Sequence, residues 1–134
     1  MRWYAPFLYL WASPTTLFGL LPLPLVLLQG GSARVVEGAI ELEGGVVSKL
    51  LSRGMPWVGS AGAAAMTLGH VIWGVDRLCL DRSRRHEHVH VRQYERWGPF
   101  FVPAYFVASF LAYRRGLDPY RDNAFEVEAY GEEP

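Results

Sequence analysis

The chain has 134 residues, with 13 basic and 13 acidic side chains and a formal net charge of zero. That length sets one domain with one modest core, and the charge balance gives no electrostatic reason to expect nucleic acid as a partner. Cys79 is the single cysteine, which excludes an intrachain disulfide and a cysteine-rich zinc site.

Charge is unevenly placed. No Asp, Glu, Lys, Arg or His lies between Arg2 and Arg34, a run longer than the roughly 20 apolar residues that a membrane-spanning helix needs. Its most helix-like part is Ser13 to Leu28: Ser13 can cap, Pro14 suits a first helical position, and Gly30-Gly31 ends it. Pro22 and Pro24 argue against an unbroken soluble helix, although membrane helices tolerate such breaks better. Residues 1–33 are therefore expected to form a hydrophobic segment that enters a membrane as an anchor or re-entrant hairpin, with a buried arm of a soluble domain or a cleaved signal peptide as alternatives. Arg34, Lys49 and Arg53 follow the run and only Arg2 precedes it, so the positive-inside rule favours a membrane-associated protein with its 34–134 domain in the cytoplasm.

The β-branched content and glycines of "ARVVEGAIELEGGVV" read as a hairpin, and "VVSKLLSRG" as a short amphipathic helix. Met66 to Val75 reads as a strand with His70 inside it. From Asp81 the pattern turns helical, with Asp81 or Ser83 as the cap and Gly98-Pro99 as the stop. The 15 apolar residues Pro99 to Tyr113 are short for an independent span and fit a buried core helix. After the turn "LDPYRDN", Asn123 caps a last helix over "AFEVEAY". The expected fold is α+β. A small antiparallel sheet from the segments around 35–44 and 64–75 packs on a helix at 82–97. A helix at 100–114 covers that helix, and a final one at 124–130 completes the domain.

Three of the four histidines fall within "HEHVH", residues 86 to 90. His86 and His90, four apart, return to nearly the same face of a helix. Each can give one nitrogen to a zinc ion at about 2.0–2.1 Å. Glu87, between them, is placed to act as general base on water that zinc makes acidic. His88 points to the opposite side and cannot join. A charged surface helix is the alternative reading of the cluster.

Catalytic zinc needs a third protein ligand, and the downstream candidates are Asp118, Asp122, Glu126 and Glu128. The stretch from "RHEHVHVRQYERWGPF" to "NAFEVEAY" resembles a family of small bacterial proteins with a His-Glu-x-Val-His-Val-Arg-Gln-Tyr-Glu core and an Asn-Pro-Phe-Glu-x-Glu-Ala-Tyr segment. That two-part arrangement is similar to gluzincin metallopeptidases, whose third ligand is a glutamate on a downstream helix. The resemblance covers roughly Met66 to Tyr130. It implies zinc as the cofactor, His86, His90 and Glu126 as ligands, Glu87 as the catalytic base, and a peptide or protein substrate. Two departures stand out: Ala124 replaces a common proline, and Tyr130 replaces the aspartate that orients a zinc-bound histidine. Asp122 or a backbone carbonyl would then hold that histidine. Asn123-x-x-Glu126 is also close to a capping box, a purely structural use of Glu126. His70 is expected as a satisfied core residue or as an oxyanion donor. Tyr94, Tyr105 and Tyr130 carry the same two options, and Arg92, Gln93, Glu95 and Arg96 read as a solvated or inter-element polar network.

Overall fold

The computed structural model describes residues 5–53 and 65–131. The described chain is α+β, with a four-stranded sheet between two layers of helices. β1 (Ser32–Val36) and β2 (Ala39–Glu43) form an antiparallel hairpin. Its two turn residues, Glu37 and Gly38, both take positive φ, the type I′ geometry that matches the twist of paired strands. β3 (Ala65–Leu68) and β4 (Val71–Gly74) form a second hairpin. The expected strand over Met66–Val75 is thus two strands, because Gly69 takes a φ of +64° and turns the chain. His70 sits at that turn and not within a strand.

The sheet order is β1-β2-β4-β3, and β2 pairs with β4 in parallel. The sheet is therefore mixed, where an antiparallel one was expected. Each hairpin offers its second strand to the other, and α4 (Gly45–Arg53) lies in the connection that lets these strands run the same way. A parallel pair is normally covered on both faces, and this one is. Val26, Leu42, Val47, Leu51, Val71 and Trp73 pack on one side. Ala39, Ile72, Leu80 and Val91 pack on the other.

The uncharged segment supplies much of the first layer. It forms three helices, α1 (Ala5–Trp11), α2 (Ser13–Leu20) and α3 (Leu23–Leu28). A break at Leu21-Pro22 replaces the single helix expected from Ser13 to Leu28. Ser13 does not cap; its hydroxyl donates to the Leu10 carbonyl. The Trp73 indole donates to the Gly19 carbonyl at 2.9 Å, and the His70 amide to the Thr16 hydroxyl at 3.0 Å. The Trp11 ring lies against Gly98, where any side chain would collide with it. The described part of this segment is a packed layer of the fold. Among the described residues no helix is long and apolar enough to cross a membrane.

α5 (Arg77–Trp97) crosses the other face of the sheet. It starts five residues before the expected position because Asp76 caps it, accepting from the Cys79 amide at 2.8 Å. Ser83 instead donates back to the Cys79 carbonyl, and Asp81 pairs with Arg84. A 3-10 turn (Gly98–Phe100) leads into α6 (Phe101–Arg114). That helix was expected to be buried; it buries Phe101 and Ala112 and leaves much of its apolar surface exposed. The final helix, α7 (Ala124–Gly131), begins at Asn123, whose Oδ1 accepts from the Phe125 amide. The Asn123 amide also donates to the Tyr105 carbonyl and the Ser109 hydroxyl. It therefore ties α7 to α6.

Between sheet and α5 lies Glu41, fully buried, which accepts from Arg77 at 2.8 Å and from Arg84 at 2.9 and 3.0 Å. Replacing Glu41 with Ala would remove the acceptor that the two guanidiniums share and leave Arg84 with Asp81 and Arg77 with the Ser32 hydroxyl. The expected loss is about 2 kcal/mol of stability, read as a lower urea midpoint at unchanged slope.

Candidate metal centre

His86 and His90 project from one face of α5, and both are buried. Glu126 comes from the first turn of α7 and meets them. Its Oε1 lies 3.0 Å from His86 Nε2 and 3.2 Å from His90 Nε2, and the two nitrogens are 3.2 Å apart. Three ligands in a tetrahedral zinc site stand roughly 3.3 Å from one another, given metal–ligand bonds of about 2.0–2.1 Å. The triangle has that size, and two imidazoles with a carboxylate are a donor set zinc accepts. The group could hold a metal ion.

The surrounding side chains orient each donor. Gln93 uses its amide nitrogen on the Phe125 carbonyl at 3.0 Å and on Glu128 at 2.6 Å. Its Oε1 is thereby aimed at His90 and accepts from Nδ1 at 2.8 Å. That bond puts the proton on Nδ1 and keeps the Nε2 lone pair for the triangle. The Tyr105 hydroxyl donates to Glu126 Oε2 at 2.6 Å, leaving Oε1 to the histidines. The ring of Tyr130 packs edge-on against His86, with centroids 4.4 Å apart, and its hydroxyl donates to Tyr120. Tyr130 thus braces the imidazole sterically.

Glu87 is buried beside the triangle, with Oε2 4.0 Å from His86 Nε2. The Thr67 hydroxyl, on edge strand β3, donates to its Oε1 at 2.8 Å. Burial raises the Glu87 pKa, against the opposing pull of His90, His86 and Thr67. Burial works the same way on Glu126, but hydrogen bonds from His86, His90 and Tyr105 outweigh it and hold the carboxyl down at about 2. On His90, burial opposes the charge, yet the Glu126 hydrogen bond and the nearby Glu87 carry the pKa up to about 9. These four residues line one cavity of about 600 Å³. Its other walls are largely apolar, from Met66, Leu68, Trp73, Phe101 and Val102, with Pro14, Thr15 and Phe18 contributed by α2.

Other residues singled out by the sequence fall elsewhere. Glu128 binds Gln93 and Arg96, outside the triangle. His88 faces away, 3.8 Å from Glu37. His70 donates to Glu95 at 3.0 Å and stacks on Tyr9, away from the cavity. Asp118 and Asp122 organise the turn before α7, where Asp122 accepts from the Asp118 amide; it does not reach a histidine there. Gln93, Thr67 and Tyr120 were not singled out as site residues. Only Gln93 left a trace in the sequence, three residues after His90 and hence on the same helix face. No family model, curated protein or solved structure matches the chain, so the site stands on its geometry.

Gln93→Met is expected to weaken zinc binding by about 10- to 100-fold in a chelator competition, with helix content unchanged. Zinc uptake at pH 7 should also release at least one proton per ion, because the His90 pKa is carried up to about 9 and that of His86 is raised as well, and a lone pair occupied by a proton must be freed. Below the His90 pKa of about 9, apparent affinity should fall by about tenfold per pH unit for each proton displaced. Calorimetry in buffers of different ionisation enthalpy reads that proton.

Proposed function

We propose that this chain is a zinc-dependent peptidase in which His86, His90 and Glu126 hold the ion and Glu87 is the general base. The observation that carries this reading is a buried carboxylate, Glu87, sharing one cavity with a zinc-sized triangle of donors. Bound zinc supplies Lewis acidity, which polarises a scissile carbonyl and makes water acidic near neutral pH. Glu87 takes a proton from the attacking water and delivers it to the amine nitrogen as the C–N bond breaks. Thr67 holds one of its oxygens, which fixes the other for that transfer. Its raised pKa suits a group that must both accept and return a proton. Tyr120 lines the same cavity, and its hydroxyl oxygen already accepts from Tyr130. Its own proton is therefore the one to stabilise the developing oxyanion. β3 lies at the sheet edge beside the cavity, where an extended peptide could add as a further strand.

A second reading, a non-catalytic zinc protein, is favoured by one observation. The triangle joins α5 to α7 across 36 and 40 residues of sequence, so an ion there would also act as a staple. Removing zinc would then lower the melting temperature, and no peptide would be cut.

Elemental analysis of untagged protein should find about one zinc per chain, lost in His86→Ala and in Glu126→Ala. Glu87→Gln should keep the zinc and lose peptide cleavage by about 10²-fold or more. Tyr120→Phe should lower kcat by roughly 10²-fold with KM little changed. Absence of zinc from wild-type protein reconstituted at neutral pH would sink the enzyme reading.

A further inference from the structure

We propose that the protein docks on a lipid bilayer surface bearing anionic headgroups, with the cavity of the metal centre opening toward the lipid. The three helices of the uncharged segment turn Phe7, Leu10, Leu17, Phe18, Leu21 and Leu28 outward, each at least 60% exposed. A separate element, α6, exposes Phe106, Val107, Phe110 and Tyr113. The two faces meet. The Trp11 ring is 6.0 Å from Phe100 at the start of α6, and Phe18 and Phe106 both line the cavity. The cavity therefore lies between two exposed apolar faces, and apolar patches of this kind mark interaction sites.

Charge argues for lipid as the occupant. No charged residue lies between Arg2 and Arg34, so α1 to α3 bring no charged side chain to desolvate among acyl chains. Where the α6 face ends, the exposed Arg114 and Arg115 follow Tyr113, and Arg121, within the next turn, lies over the Tyr130 ring. The two acids of that turn are engaged by backbone amides: Asp118 by those of Tyr120 and Arg121, Asp122 by that of Asp118. Those acids keep their charge, but Arg114, Arg115 and Arg121 outnumber them, which leaves a weakly cationic rim at headgroup level, complementary to anionic lipid. Trp11 and Tyr113 have the amphipathic rings that suit the interface. Helices of 7, 8 and 6 residues are too short to span and would lie in the interfacial plane. A second copy seated on these faces would cover the cavity, whereas a bilayer lets an apolar peptide segment enter from its surface. That orientation rests on the peptidase reading; the docking itself does not.

The test is co-sedimentation of the full, zinc-loaded chain with phosphatidylcholine vesicles, with and without phosphatidylglycerol. Vesicles containing phosphatidylglycerol should carry the wild type down, less so at high salt. Leu21→Asp combined with Phe110→Asp changes exposed residues outside the cavity lining and should weaken binding by about tenfold or more. Arg114→Glu with Arg115→Glu should abolish the preference for phosphatidylglycerol. Both variants should keep the wild-type circular dichroism and zinc content. Wild-type protein left in the supernatant with both vesicle types would overturn the proposal, as would the Leu21/Phe110 variant binding as well as wild type. A dimer in sedimentation equilibrium that this variant dissolves, with no vesicle binding, would assign the face to a second copy instead. Glu87→Gln should bind vesicles like wild type. Absence of peptide cleavage by wild-type protein that does bind vesicles counts against the peptidase reading alone.

Discussion

A carboxylate shared by two imidazoles needs all three side chains held away from water, and the layout of the second half of the chain follows from that need. Glu126 reaches His86 and His90 only because α7 lies against α5. Gln93 fastens the two helices on one side of the triangle, and Tyr105 and Asn123 fasten α7 to α6 on the other. Each of these bonds has a second effect on the donors. Gln93 selects the His90 tautomer, and Tyr105 selects which Glu126 oxygen turns to the histidines. Packing and site chemistry here use the same atoms.

The sheet contributes through its edge. Thr67 stands on β3, the outermost strand on the α5 side of the cavity, and fixes the orientation of Glu87. β3 stays in place because β4 is buried between it and β2. The N-terminal layer in turn holds the β3–β4 turn, through Thr16 on the His70 amide and Tyr9 on the His70 ring. A segment that looks detachable by composition therefore supports the wall opposite the histidines.

How far the sequence carried can be read from particular residues. The four-residue spacing of His86 and His90 determines a shared face on any helix, so that half of the triangle was legible from local geometry. Glu126 was named through the resemblance of its segment and not from spacing, because no local rule connects residues so far apart in the chain. Thr67 left no signal at all: a threonine in a strand has many uses, and its role depends on where β3 lies in the sheet. The helix start was misplaced because Asp76, Asp81 and Ser83 all have capping side chains, and only the backbone geometry at Asp76 selects among them. The antiparallel expectation failed for a different reason. Strand composition marks a hairpin well, but which strands of two hairpins become neighbours is decided by tertiary packing.

That parallel seam has a consequence for how the molecule comes together. Each hairpin closes over a turn of two residues, as the pairings Val36↔Ala39 and Leu68↔Val71 show. The seam instead brings Ile40 beside Val71, across the whole of α4 and β3. Closing a longer stretch of chain costs more entropy before any contact repays it. The two hairpins are thus local units able to form early, while their joining is the late, non-local event. Thr67 and Glu87 stand only 20 residues apart, on the second hairpin and on the helix that directly follows it, so their contact closes a shorter loop than the seam does and does not have to wait for it.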